Sequence, residues 1–337
     1  MARRTKYELK KPRNDPSMKV KDTNYPAKKY KHSNPTELTL CFEVDGSENN
    51  HGYIDLAQCL SIVNRKMYRQ HAYYYVQKVS LYDNASNIVD VVTLPDTYVT
   101  RNAVVRGKAI WDDMNERVAG KVGGFIPKFH DYKVFMDHKH KDLGNLLPSG
   151  YTIDGQIGPL LPSGEWKYSH YVSADSDQDA TGSPEEFTAH VMGDDMADSK
   201  GLIRSYSLTR RLPNPENPVV PGDLETDDFL NIMDYSDEEQ VNEILENLDL
   251  HNDDTPYSDT DYIGTGSITA LGVDYATQFA HKGRLATVLD SNRVSTIGGF
   301  CAPFGLIGLD LNNIDGEARI VIELAPGTYH GVYAERV

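Results

Sequence analysis

Apolar and polar residues alternate along much of this chain, and this period-two pattern is typical of strands that bury one face. Residues 37–44 show it most clearly, and they end at the turn dipeptide Asp45-Gly46. Between two later strands, Asp83–Asn87 predicts a hairpin connection. The further strands that we predict are 72–82, 88–94, 131–137, 166–174, 186–192, 261–273, 285–289, 304–311, 318–324 and 329–333.

Helical periodicity is confined to a few segments. Asp55 and Gln58 form a capping pair before apolar residues at helical spacing in 56–67, and a second apolar stripe follows residues 97–119. A capping-box pattern predicts another short helix at 236–248. These helices do not alternate with the strands as a parallel, doubly wound sheet requires.

Many short strands separated by turn residues favour a mainly β fold, and we predict a single jelly-roll antiparallel β-sandwich with a few short helices in insertions. The predicted boundaries are a flexible basic N-terminal arm at 1–36 and a jelly-roll domain at 37–337. Within that domain, the stretch 222–261 contains fifteen acidic residues and no Lys or Arg, which indicates an acidic, partly helical insertion.

The charge of the chain is divided unevenly along its length. The formal net charge is −16, yet residues 1–32 carry +8 and the remaining residues carry −24. The arm has almost no aliphatic residues, so it cannot offset its ordering entropy by burying apolar surface. Its eleven basic side chains are Arg3, Arg4, Lys6, Lys10, Lys11, Arg13, Lys19, Lys21, Lys28, Lys29 and Lys31.

These eleven side chains are candidate nucleic-acid ligands, because Lys and Arg neutralise phosphates and release condensed counterions without needing a fixed structure. A solubilising tail or a nuclear-import signal is the alternative interpretation. A second basic cluster, Arg65, Lys66 and Arg69 with His71, favours nucleic acid. Its alternative is an exposed helix end, where cations are favourable in any case.

Two groups of residues have the spacing of metal ligands. Asp175, Asp177, Asp179 and Glu186 occupy positions 1, 3, 5 and 12 of a calcium-binding loop, although Ala180 stands where such a loop has glycine. An acid-rich loop without metal is the alternative. The run 137–140 contains two histidines that would share one face of a strand and offer nitrogen ligands to zinc, with a polar strand end as the alternative.

Several classes of protein are disfavoured. The chain has no GxxxxGK[ST] phosphate loop, no GxSxG nucleophile elbow and no HExxH helix, so we predict that it is not an enzyme. It has no run of 18 apolar residues, so no membrane partner is expected. Cys41, Cys59 and Cys301 have no CxxC spacing and are predicted to be free thiols.

Three segments resemble capsid proteins of small circular single-stranded DNA viruses: Gly52–Gln70, Trp111-Asp-Asp-Met114 and Cys301-Ala-Pro-Phe-Gly-Leu-Ile307. The resemblance implies a capsid protein that assembles with many copies of itself into an icosahedral shell. It further implies that the arm packages a single-stranded DNA genome and that the protein is found in the virion, assembled in the host cytoplasm or nucleus. Calcium at the acidic loop would then relieve repulsion between subunits.

Two other classes remain open. One is a β-sandwich module that binds glycans or proteins, a role that 21 tyrosines against two tryptophans would suit. The other is a hydrolase that uses paired carboxylates in a sandwich cleft, which the many acidic residues permit and no motif specifies.

Overall fold

The protein is known from a computed structural model that describes residues 36–46, 50–83, 85–122, 129–154, 157–173, 185–210, 278–289, 292–314 and 316–337. Its strands are β1 (Thr39–Asp45), β2 (His51–Asp55), β3 (Ala72–Tyr82), β4 (Ile88–Thr93), β5 (Ser149–Tyr151), β6 (Ile157–Leu160), β7 (His170–Ser173), β8 (Glu185–His190), β9 (Ser199–Gly201), β10 (Ala280–Ala286), β11 (Val294–Ile297), β12 (Phe300–Ala302), β13 (Leu306–Asn313), β14 (Glu317–Leu324), β15 (Pro326–Tyr329) and β16 (Ala334–Arg336). The helices are α1 (Leu56–Asn64), α2 (Tyr98–Val122), α3 (His138–Leu143) and α4 (Leu202–Arg210).

Two antiparallel sheets organise the described part of the chain. The first sheet has the order β1-β14-β3-β11, with β12 and β16 also pairing with β3. The second sheet has the order β10-β4-β13-β2. Smaller sheets are formed by β5 with β6 and by β7, β8 and β9, of which only the last pair is parallel. The prediction of a mainly β chain with antiparallel sheets is therefore confirmed.

Strands that follow one another along the chain repeatedly change sheets. β3 lies in the first sheet and β4 in the second, so the predicted hairpin at Asp83–Asn87 is wrong and this segment crosses between the sheets. Strands near the two ends of the chain pair with each other, β1 with β14 and β2 with β13. Strands between them in the sequence pair in the same way, β3 with β11 and β4 with β10. Two further pairings, β14 with β3 and β13 with β4, complete the sheets.

The main core lies between the two sheets. Leu40, Phe42 and Val44 of β1 point inward at the two-residue spacing of a strand, and they join a buried cluster that includes Ile54 of β2 and Leu309 of β13. Since the cluster draws on strands of both sheets, the inward apolar positions hold the two sheets together by excluding water.

A second core covers the outer face of the second sheet. Tyr53, Val92 and Leu306 of this sheet pack with residues of α2 such as Val104 and Trp111. All five residues of β2 are consequently buried, which removes the apolar-polar alternation by which a strand is recognised. This explains why β2 was not predicted from the sequence.

The helices α2, α3 and α4 and the strands β5 to β9 all lie between β4 and β10 in the chain. α2 is 25 residues long and agrees with the stripe at 97–119, but it is longer than the short helices that we predicted for insertions.

The acidic stretch 222–261 also lies between β4 and β10 in the chain, and it is outside the described residues, as are residues 1–35. Among the described helices, none combines the length and the apolar character needed to cross a membrane.

Candidate nucleic-acid interface

A groove of about 320 Å³ lies beside the end of α1 and carries more positive than negative groups. Its charged lining residues are Arg65, Lys66, Lys133 and Glu165, and its aromatic lining residues are Phe129 and Trp166. Cationic and aromatic side chains are the combination that single-stranded nucleic acids contact through phosphates and bases. We therefore take this groove as the candidate site.

The position of Arg65 and Lys66 follows from where α1 begins and ends. The buried Asp55 side chain caps the helix by accepting hydrogen bonds from the backbone N–H groups of Ala57 and Gln58 at 3.0 and 3.2 Å. The helix ends at Asn64 and is followed by its C-cap residue Arg65, whose φ of 53° is left-handed. Cations at this position offset the negative partial charge of the last helical carbonyls, so the helix end explains part of the basic cluster.

The rest of that cluster lies outside the groove lining. The guanidinium of Arg69 is 3.5 Å from Asp131 Oδ1, and that arginine side chain is about half exposed. The half-buried His71 packs against Phe304 with 6.1 Å between ring centroids, and burial lowers the pKa of this histidine. The structure thus brings two of the four predicted residues to the site.

Lys133 comes from a separate segment and is 6% exposed. Its backbone N–H donates to Ser169 Oγ at 2.9 Å, and its ammonium donates to the Asp131 carbonyl at 3.3 Å and lies 4.7 Å from the centre of the Trp166 ring. Burial lowers the pKa of Lys133, and the nearby carboxylates of Asp131 and Asp55 oppose that effect. No carboxylate lies within ion-pair distance of Lys133 among the residues that the structure describes.

The segment that carries Lys133 was predicted to be a strand at 131–137, and that prediction is wrong. The segment is in no strand. Its backbone is held by backbone hydrogen bonds, such as the one from Phe135 N–H to the Ala189 carbonyl at 3.1 Å, and by side chains, since Gln70 Oε1 accepts from Val134 N–H at 2.7 Å. Phe135 forms an isolated β-bridge. This arrangement places the buried lysine next to α1 without a sheet partner on either side.

Asp55 also fixes the orientation of Trp166. The indole Nε1–H donates to Asp55 Oδ2 at 3.2 Å, and the Gln70 amide donates to the same oxygen at 3.1 Å. Burial raises the pKa of Asp55 to about 6, and these hydrogen bonds partly oppose the shift. One carboxylate therefore both starts α1 and holds the aromatic wall of the groove.

The first described residues of the chain lie beside this groove. The Lys66 ammonium donates to Thr36 Oγ1 at 3.4 Å, and Glu37 exchanges two hydrogen bonds with the Asn64 side chain, at 2.7 and 3.1 Å. Thr36 is the first described residue and the last residue of the predicted arm. The eleven basic residues predicted to bind nucleic acid all precede it and lie outside the described residues.

The predicted calcium ligands are described in part. Glu186 lies in β8, with its carboxylate 3.0 Å from Nδ1 of His170 on the paired strand β7. Asp175, Asp177 and Asp179 lie outside the described residues. Within the described ranges, no group of His, Cys, Asp and Glu side chains is placed to hold a metal ion.

The two histidines considered for zinc lie on a helix rather than on a strand. Asp137 caps α3 by accepting from the His140 N–H at 2.8 Å, so His138 and His140 do not share a strand face. The His140 ring accepts from the Met136 N–H through Nδ1 at 2.9 Å, and its Nε2–H donates to Asn145. Burial lowers the pKa of His140 to about 4, and both of its ring nitrogens are engaged in hydrogen bonds within the protein.

Lys133, Phe129 and Trp166 are the site residues that the sequence analysis did not identify. They belong to segments far from Arg65 in the chain, and no spacing rule connects them. Comparisons of the chain with models of protein families, with curated proteins and with solved structures gave no match. The function therefore has to be argued from the fold and the site.

Proposed function

We propose that this chain is the capsid protein of a small single-stranded DNA virus. In this proposal the sandwich is a single jelly roll, many copies of the chain assemble into an icosahedral shell, and the basic arm packages the genome inside the virion. The observation that carries the proposal is the nested pairing of eight of the ten strands in the two central sheets.

The pairing has the form that a rolled ribbon of strands produces. β4 pairs with β10, β3 with β11, β2 with β13 and β1 with β14, so each pair encloses the previous one along the chain. Rolling this four-pair ribbon brings β14 beside β3 and β13 beside β4, and both contacts are present. A two-sheet antiparallel sandwich of eight strands connected in this way has jelly-roll topology.

The distribution of charge supports the packaging step. The arm carries +8, and the folded domain adds Arg65 and Lys66, which line the groove. Thr36, the last residue of the predicted arm and the first described residue, accepts a hydrogen bond from Lys66. Each phosphate contact is weak on its own, but a shell multiplies the contacts by its copy number.

A second candidate is a glycan-binding β-sandwich module, and the aromatic residues of the groove favour it, because the face of Trp166 or Phe129 would also stack on a sugar ring. The charges argue against a neutral glycan. Three cations and one carboxylate line the groove, and a neutral sugar would leave the buried ammonium of Lys133 without an anionic partner.

Particle formation tests the proposal. The full chain, expressed alone, would be examined by size exclusion and negative-stain microscopy over a range of salt, pH and calcium, with a chelator as the control for calcium. We expect closed shells tens of nanometres across that protect nucleic acid from nuclease. A monomer or small oligomer under all conditions would overturn the capsid function, and glycan binding by that species would favour the module.

A further inference from the structure

We propose that the groove beside α1 binds one nucleotide of a single strand, with its phosphate at Lys133, Arg65 and Lys66 and its base against the aromatic side chains. This inference rests on the proposed function for its partner, the packaged genome. It differs in placing a binding site on the folded domain rather than on the arm.

Lys133 is the residue that most needs an anionic ligand. An ammonium group carries three donor hydrogens, and the described contacts of Lys133 Nζ are one hydrogen bond and the Trp166 ring. It is more than nine-tenths buried, so water satisfies the other hydrogens only through the groove that it lines. A phosphate at this position would supply oxygen acceptors and a compensating charge.

The helix end does not account for Lys133. The carbonyl groups at the end of α1 disfavour an anion, and Arg65 and Lys66 offset that effect. Lys133 comes from the segment beside Ser169, so it adds positive charge beyond what the helix requires. The opposing groups are Glu165 in the lining and the buried carboxylates of Asp131 and Asp55, and Asp55 is already engaged by five hydrogen-bond donors.

The volume of the groove and its aromatic lining residues suit a single nucleotide of an unpaired strand. A volume of about 320 Å³ is at the small end of ligand-binding cavities. Phe129 is 65% exposed and lines the groove, so a base bound there would contact an aromatic side chain. A base within a duplex is stacked on its neighbours and would have to be extruded to reach this side chain, whereas a base of a single strand is accessible.

The test uses the full chain, freed of nucleic acid at high salt, and thymidine 5′-monophosphate as the probe. Binding would be measured by calorimetry for the wild type, Lys133→Met and Phe129→Leu. The control is Lys78→Met, which removes an equal charge from β3, where Lys78 pairs with Glu323 at 2.6 Å. Thermal unfolding would confirm that each variant is folded, and Lys66→Gln replaces Lys133→Met if that variant is not.

We expect Lys133→Met and Phe129→Leu each to weaken binding about tenfold, which corresponds to the loss of one charge-assisted hydrogen bond or one stacking contact. Lys78→Met should bind like the wild type. Thymidine should bind more weakly than its monophosphate, because it lacks the phosphate. If inorganic phosphate binds as tightly as the nucleotide, the base has no role and the proposal fails in that part.

No nucleotide binding by the wild type, or equal binding by the wild type and both groove variants, would overturn the proposal. The outcome is separable from that for the capsid function. Shells that form without nucleotide binding would remove the groove site and leave the capsid function intact. Nucleotide binding by a chain that never assembles would support the groove site and overturn the capsid function.

Discussion

The ammonium of Lys66 donates a hydrogen bond to Thr36 Oγ1 across 3.4 Å. This contact joins the first described residue to the cationic end of α1. The side chain of Asn64, the last residue of that helix, also binds Glu37 through two hydrogen bonds. Thr36 and Glu37 are therefore held beside the residues that line one end of the groove.

The salt dependence of nucleic-acid binding separates the contribution of the basic arm from that of the groove. For single strands, the slope of log K against log salt changes by about 0.7 for each phosphate contact. Deleting residues 1–32 removes eleven basic side chains and should make the slope much shallower, while leaving a residual slope of about 2 from the three groove cations. Fluorescence anisotropy with a labelled oligothymidine, titrated at several salt concentrations, measures both slopes.

The unfolding temperature of the truncated chain is the control for this deletion. It should match that of the full chain, because the described core residues all follow residue 36. An unchanged slope in a folded, truncated chain would show that the arm makes no phosphate contacts.

Asp55 is predicted to be the most sensitive single position of the site. Asp55→Ala removes the cap of α1, worth about 1 kcal/mol, and leaves the donors of Trp166 and Gln70 unpaired, at about 1–3 kcal/mol. We expect a loss of about 3 kcal/mol in the free energy of unfolding, measured by chemical denaturation, together with a change in tryptophan fluorescence.

Two variants calibrate that loss. Asp55→Asn keeps one acceptor oxygen for the cap and should cost about half as much. Asp113→Ala removes an exposed carboxylate that pairs with Arg117 at 2.7 Å, and it should cost less than about 0.5 kcal/mol. If Asp55→Ala cost no more than Asp113→Ala, the carboxylate would not hold the site together.

The elements that were predicted well from the sequence are those whose signals are local. The strand at 72–82 coincides with β3, and Asp55 caps α1 as its spacing from Gln58 suggested. β2 was missed because both of its faces are buried, which is a consequence of α2 packing on the second sheet. That packing involves residues far apart in the chain, and no local pattern reports it.

The same limit applies to the site. Arg65 and Lys66 were identified as a basic cluster, whereas the role of Lys133 depends on a backbone held by Gln70 and Ser169, both distant in the chain. The assignment of His138 and His140 to a strand failed for a different reason. Asp137 is an N-cap residue that accepts from the His140 N–H, so these histidines are helical and the alternation of polar residues in this short run does not indicate a strand.

Gly107 of α2 is predicted to be required for packing against Tyr132 and Leu202. A Cβ at this position would lie 2.7 Å from the Tyr132 hydroxyl and 2.8 Å from Leu202 Cδ2. Replacing glycine by alanine within a helix normally stabilises by about 1 kcal/mol. Here Gly107→Ala should instead destabilise by about 1–3 kcal/mol, because overpacking displaces well-packed neighbours. Thermal unfolding measures the difference.

Gly298→Ala is the matched control, since a Cβ there meets no atom within 4 Å and the variant should be close to neutral. Stabilisation by Gly107→Ala, as in an isolated helix, would show that α2 is not packed tightly against Tyr132 and Leu202.

The stability of the protein should respond to pH through two opposing sets of buried groups. Burial raises the pKa of Asp55 and Asp137 from 3.8 to about 6, so the folded state binds more protons than the unfolded state between these values. These two groups make stability fall as pH rises from 4 to 6. Burial lowers the pKa of His140 and His190 from 6.5 to about 4, and these groups make stability rise over nearly the same range.

Replacing one buried aspartate or one buried histidine should therefore change the slope of unfolding free energy against pH, upward for an aspartate and downward for a histidine. Relative to the wild type, Asp137→Asn should make stability rise with pH between 4 and 6 by about 1.4 kcal/mol per pH unit, and His140→Gln should make it fall by a similar amount. His51 and His71, whose pKa values burial also lowers, remain in both variants, so their effect cancels in the comparison. Denaturation curves at several pH values measure these slopes. Tilts of the same sign in both variants would contradict the assignment, because the two buried groups titrate in opposite senses.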